Sequence, residues 1–154
     1  MGAPPVMKLD DALKNVSPVA FDTAPIIYFV EANPTYDALV TTIFESIENG
    51  KIIGITSVIS LCEVLVHPIR NQNQNLKSRY RDILQNSPNF FTKSINAAIA
   101  ERAAELRAKY NLRTPDALQI STAPENGCDA FLCNDKNLKK VAEIKVLILD
   151  EITL

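Results

Sequence analysis

Histidine occurs once, at His67, and tryptophan not at all. Cysteine occurs three times, at Cys62, Cys128 and Cys133, with no CxxC spacing. A structural zinc centre needs three or four Cys or His ligands at short spacing, so the sequence argues against one. An odd, unpatterned cysteine set in apolar surroundings also argues against a disulfide framework. The three read as reduced core residues of a cytosolic protein. No apolar run approaches the ~20 residues of a membrane span. The N-terminus lacks the basic start and long apolar stretch of a signal peptide; Met1-Gly2-Ala3-Pro4-Pro5 reads as a flexible start. No internal repeat or low-complexity tract is present. An excess of one charge is missing too: 16 Lys and Arg against 18 Asp and Glu leave a formal charge of -2, which points neither toward nor away from nucleic acid.

What is present is apolar content and an uneven spread of charge. At 154 residues and 47% hydrophobic, the chain suffices for one domain with a real core. Between Pro68 and Pro115 stand nine Lys or Arg and three Asp or Glu, a local +6, which leaves -8 for the remainder. A basic middle beside acidic flanks suits a nuclease; solvated faces of two helices read equally well. The pattern predicts strands near 19–23, 52–56, 89–92, 130–133 and 145–149. Helices are predicted near 8–15, 36–49, 57–67, 76–86, 94–110 and 114–126, with a helical turn through 26–29 after Pro25 and a short helix over 136–142. Ser57, Ser94 and Thr114 are the expected caps, and Gly50 and Gly127 the expected stops. Short apolar strands alternating with helices imply an α/β fold, with parallel strands layered between helices.

Four carboxylates stand at the edges of these elements: Asp22, Glu63, Asp116 and Asp135. Each adjoins an apolar run, where an unpaired acid is costly. Asp22 and Asp135 follow strands, at the carboxyl end where α/β sheets place their functional crevice. Together the four suggest one site sharing a divalent cation. Mg²⁺ or Mn²⁺ takes hard oxygen ligands, and phosphodiester hydrolysis needs an activated water and stabilised charge on phosphate. Four acids without a catalytic Ser, Cys or His partner fit that chemistry better than acyl transfer.

These residues resemble a family, the PIN-domain ribonucleases, which include VapC-type toxins. Phe21-Asp22-Thr23 followed by Ile27-Tyr28 is similar to the family's opening motif. Thr56-Ser57-Val58-Ile59-Ser60-Leu61-Cys62-Glu63-Val64 resembles the second motif. Arg113-Thr114-Pro115-Asp116-Ala117-Leu118 resembles the third, and Phe131-Leu132-Cys133-Asn134-Asp135-Lys136-Asn137-Leu138 the fourth. The resemblance spans about Val19 to Leu149 and implies a three-layer α/β/α sandwich around a mainly parallel sheet. It implies residues 1–17 as an N-terminal extension and 18–154 as a single PIN-like nuclease domain. Carried over, it assigns Asp22, Glu63, Asp116 and Asp135 to catalysis and to Mg²⁺ or Mn²⁺ in RNA cleavage. It also implies a cytoplasmic toxin of a type II toxin–antitoxin module, with an RNA substrate, a cognate antitoxin, a homodimer and no membrane.

The chain departs from the family pattern in two places. Ala24-Pro25 replaces a polar residue common after the first acid, and Cys133 stands where Thr or Ser usually precedes Asn134-Asp135. A thiol is the weaker hydrogen-bonding group. Thr23, Ser57 and Asn134 are candidates to support the acids or to act as simple caps and turn formers. Arg113 is placed to contact phosphate or to pair with an acid, Glu63 among them. Asp150 and Glu151 read as solvated, His67 as a structural or surface residue, and Tyr28 and Phe29 as packing residues. The competing class is a non-catalytic module: a phospho-acceptor domain, which the missing mid-sheet Asp and late Lys argue against, or a PIN-like fold kept for binding metal, RNA or protein.

Overall fold

The structure is a computed structural model that describes residues 6–154, so the expected flexible start at 1–5 lies outside the described residues. In chain order the elements are β1 (Met7–Lys8), α1 (Leu9–Ala12), β2 (Val19–Phe21), α2 (Thr23–Val30), α3 (Asp37–Glu48), β3 (Gly54–Ser57) and α4 (Val58–Arg70). There follow α5 (Gln74–Asn86), β4 (Phe90–Lys93), α6 (Ala97–Tyr110), α7 (Thr114–Glu125), β5 (Ala130–Cys133), β6 (Lys145–Ile148) and β7 (Ile152–Thr153). Two 3-10 turns, Lys136–Lys140 and Leu149–Glu151, flank β6.

Five strands form one parallel sheet in the order β4-β3-β2-β5-β6. Every residue of β2, β3 and β5 is buried, as strands covered on both faces must be. Successive side chains go to opposite faces. Phe21 and Leu132 join a core with Ile26, Ile43, Phe44, Tyr80 and Leu84 of α2, α3 and α5. Their neighbours Ala20 and Phe131 join a second core with Ala103 and Leu106 of α6 and Ile120 of α7. Two cores on one sheet make the α/β/α sandwich expected from the sequence. Ahead of the sheet, β1 pairs in parallel with β7, and Leu9, Ala12 and Val16 are buried in the first core. No helix among the described residues is long and apolar enough to cross a membrane.

Several boundaries differ from expectation for local reasons. The turn after Asp22 is a full helix, because Pro25 lies within its first turn, where the missing N–H costs nothing. Residues 8–15 yield only the four-residue α1, preceded by β1, since pairing with β7 claims Met7 and Lys8. Asn96, not Ser94, caps α6 by accepting from Ile99 N at 3.0 Å, because β4 runs on through Lys93. Thr114 is the first residue of α7 rather than its cap; Arg113 holds that position without a side-chain bond. Cys128 and Cys133 are buried as expected, but Cys62 is exposed on the outer face of α4.

Gly54 opens β3 where the sheet meets an aromatic cluster. Phe21, Phe44 and Phe90 pack against one another in tilted and edge-on pairs with centroids 5.3, 5.4 and 5.6 Å apart. A Cβ on Gly54 would fall 2.6 Å from Phe90 Cδ2 and 2.9 Å from Ile47 Cδ1. Both neighbours are almost fully buried. Gly54→Ala is expected to lose about 1–3 kcal/mol through overpacking, read as a lower urea midpoint at unchanged slope. An unaltered midpoint would show that this corner of the core is looser than described.

Candidate functional site

The parallel pairing of β2 with β5 aligns Phe21 with Leu132 and brings both chains out at the same sheet edge. Asp22 is the first residue beyond β2. Its backbone N–H donates to Leu132 O at 2.9 Å, and its Oδ1 accepts from Thr23 N at 2.9 Å as the cap of α2. Asp135, two residues beyond β5, caps the following 3-10 turn, with Oδ1 accepting from Asn137 N at 3.0 Å. Glu63 lies in the second turn of α4, whose cap is Ser57 at the end of β3. Asp116 lies in the first turn of α7, where a negative charge also suits the helix dipole.

The four acids act on one another. Burial raises the Asp22 carboxyl from its ordinary 3.8 to about 6; the Thr23 N–H opposes this, and the charges of Asp116, Glu63 and Asp135 each push it further up. Each outer carboxylate has a partner of its own. Thr23 Oγ1 donates to Glu63 Oε1 at 2.6 Å. Arg113 grips Asp116 with Nε to Oδ2 at 2.9 Å and Nη2 to Oδ1 at 3.4 Å. Among the described residues, no group of three or more His, Cys, Asp or Glu side chains is placed to hold a metal ion in this arrangement. The donor set nonetheless fits a hard divalent cation: it is all carboxylate oxygen, and its accumulated negative charge already disfavours ionised Asp22.

Beneath the acids runs a buried polar network that the sequence reading missed. Gln119, 3% exposed, donates from Nε2 to Ser60 Oγ at 2.7 Å and Thr23 Oγ1 at 3.0 Å, and lies 3.4 Å from Asp22 Oδ1. Its Oε1 accepts from Ser57 Oγ at 2.5 Å. Thr56 Oγ1 donates toward Phe21 O and Ser60 Oγ, each at 2.8 Å. One glutamine thus ties α7 to α2, β3 and α4. The signal was helical spacing: Gln119 is three residues after Asp116, and Ser60 three before Glu63, so each shares a face with its acid.

Other expectations are refined by the geometry. Glu63 is exposed rather than deep in its helix, and Arg113 pairs with Asp116 rather than with Glu63. Thr23 and Ser57 do more than cap, since both enter the Gln119 network. Asn134 does not touch the acids. Its Nδ2 donates to Tyr28 Oη at 3.4 Å and its Oδ1 accepts from Asp150 N at 3.0 Å. Tyr28 stacks on Tyr36 at 4.3 Å, and Tyr36 Oη donates to Asp150, so Asp150 is engaged as well. The Cys133 thiol points to Asp135 O at 3.8 Å, a weak contact; the Asp135 carboxylate is oriented by the Asn137 backbone instead.

The PIN domain profile matches residues 19–144. No curated protein matches the chain. Among solved structures, a toxin–antitoxin complex from Klebsiella pneumoniae is similar at a TM-score of 0.64 and 22% identity, covering 85% of this chain and 97% of that one. VapBC2 from Rickettsia felis, bound to a DNA fragment from its promoter, aligns at 0.69 and 15% identity, covering 84% and 97%. Mycobacterium tuberculosis VapC20, a sarcin–ricin loop cleaving toxin, aligns at 0.66 and 15% identity, covering 83% and 98%. At these identities the likeness is one of fold.

Two outcomes follow from the site's electrostatics and hydrogen bonds. A carboxyl raised from 3.8 to about 6 by folding contributes stability that is complete below pH 4 and is lost as pH climbs through 6. Asp22→Asn keeps a capping side chain and removes the loss. In EDTA, its melting temperature should exceed the parent's at pH 7.5, by the equivalent of up to about 3 kcal/mol, and converge with it near pH 4. A constant gap across that range would contradict the raised carboxyl. Gln119→Leu removes the acceptor of the Ser57 hydroxyl and the amide donor to Ser60 and Thr23, and should cost about 1–3 kcal/mol in chemical denaturation.

Proposed function

The chain belongs to the PIN-domain family, and on that premise we propose that it is a divalent-metal-dependent endoribonuclease acting as the toxin of a type II toxin–antitoxin module in the cytoplasm. The observation that carries the reading is the Asp22 carboxyl, buried at the end of β2 and raised first by that burial and further by the charges of Asp116, Glu63 and Asp135. Its partners are then RNA, a cognate antitoxin and a second copy of the chain. The structural likeness to VapC proteins and to toxin–antitoxin complexes supports the antitoxin.

In this reading Asp22, Glu63, Asp116 and Asp135 would hold Mg²⁺ or Mn²⁺, which would supply charge neutralisation at the phosphate and a lower cost for deprotonating the attacking water. The residues do the rest. Asp22 is held through Oδ1 by the α2 cap and through its backbone N–H by the Leu132 carbonyl, which fixes where its carboxylate stands. Thr23, itself held by Gln119, aims Glu63. Arg113 is within reach of a phosphate oxygen. Water oxygen bonds to phosphorus as the bond to the leaving ribose oxygen breaks. One proton is released from the water and one is taken up by the leaving oxygen.

A second reading, a PIN-like module that binds metal or RNA without cleaving, is favoured by one observation: Glu63, Asp116 and Asp135 are each already engaged by a protein donor. Purified, antitoxin-free chain incubated with total cellular RNA separates the two. The expected outcome is discrete cleavage with Mn²⁺ or Mg²⁺, abolished by EDTA and reduced at least ~10²-fold in Asp22→Asn and Asp116→Asn, with melting cooperative in both. Metal binding by calorimetry without cleavage of any RNA selects the second reading. Undiminished cleavage by both variants removes the acids from the mechanism.

A further inference from the structure

Arg113 is the one cation in direct contact with the four acids among the described residues. Its backbone is pinned: the Arg113 carbonyl accepts from Ala117 N at 3.0 Å and opens α7. Its side chain is held only by Asp116 among the described residues. It is 80% exposed, while its partner Asp116 is only 20% exposed. The guanidinium therefore reaches in from solvent and covers both oxygens of a largely buried carboxylate in a two-toothed grip. Those oxygens are also the ones a divalent cation would need at Asp116.

Resting on the nuclease reading above, we propose that Arg113 and the divalent cation compete for Asp116, and that the displaced Arg113 then binds an RNA phosphate. Three features support the exchange. A bidentate guanidinium matches phosphate geometry as well as carboxylate geometry. An exposed ion pair is weak enough to yield to a divalent charge. The spacing of three residues along one helical turn lets the side chain leave without moving the helix. The chain thereby carries its own low-affinity occupant of the cation position, which lowers metal affinity until substrate offers Arg113 another anion.

The test uses the full chain and Mn²⁺. Calorimetry on the parent should show Mn²⁺ binding that Asp116→Asn weakens severely; failure of that control overturns the nuclease reading and the competition with it. With the control in place, Arg113→Gln should bind Mn²⁺ up to about fivefold more tightly, the ceiling an exposed ion pair allows. Arg113→Lys keeps the charge but loses the fork, and should shift in the same direction. If Lys binds Mn²⁺ as the parent does while Gln binds more tightly, general charge explains the gain and competition for the carboxylate is wrong. Weaker or unchanged binding in both variants also overturns it. The second arm reads cleavage of the RNA that the parent cuts. At saturating Mn²⁺, Arg113→Gln should raise KM at least threefold and change kcat less. An unchanged KM refutes the transfer to phosphate.

Discussion

The burial of the Asp22 carboxyl beside three further acids, Glu63, Asp116 and Asp135, is the constraint around which this end of the molecule is arranged. Four negative charges at one sheet edge oppose folding unless something offsets them. The chain offsets them singly. Asp22 receives a helix-capping N–H, Glu63 a threonine hydroxyl, Asp116 an arginine and Asp135 a turn amide. The Asp22 carboxyl is nonetheless raised, by its burial first and by the three neighbouring charges after that. In the proposed reading, a cation bound here would offset the negative charge that the protein donors leave in place.

The sandwich makes this arrangement possible. Its parallel strands point their carboxyl ends the same way, so the residues after β2 and β5 meet without any long loop. Helices α4 and α7 approach from opposite layers, and Gln119 joins them through Ser57, Ser60 and Thr23. That amide is the structural counterpart of the acids above it. It cannot ionise, so it can sit buried beneath Asp22 without adding to the charge. Its two N–H groups and one carbonyl are all used.

Much of the fold was legible because buried parallel strands are short apolar runs and amphipathic helices show their period. The central sheet and both helical layers followed from those two signals. What escaped was decided by contacts distant in sequence. Glu63 reads as a buried acid because its neighbours are apolar, yet α4 turns it outward while Val64 faces the core. Ser94 looks like a cap until β4 extends to claim Lys93 through its pairing with Ser57. Gln119 looks like a polar interruption of an apolar helix, and becomes a hub only when Ser57, 62 residues away, arrives opposite it. The partnership of Asn134 with Tyr28 and Asp150 likewise spans 106 and 16 positions.

The central claim is that these four carboxylates share one cation. Crystals of the chain grown with Mn²⁺, measured at a wavelength where manganese scatters anomalously, test it most directly. The account predicts an anomalous peak within ~2.0–2.3 Å of carboxylate oxygens from Asp22 and at least one of Glu63, Asp116 and Asp135. Density confined to other surface acids, or no peak at this edge with Mn²⁺ present in excess, would contradict it.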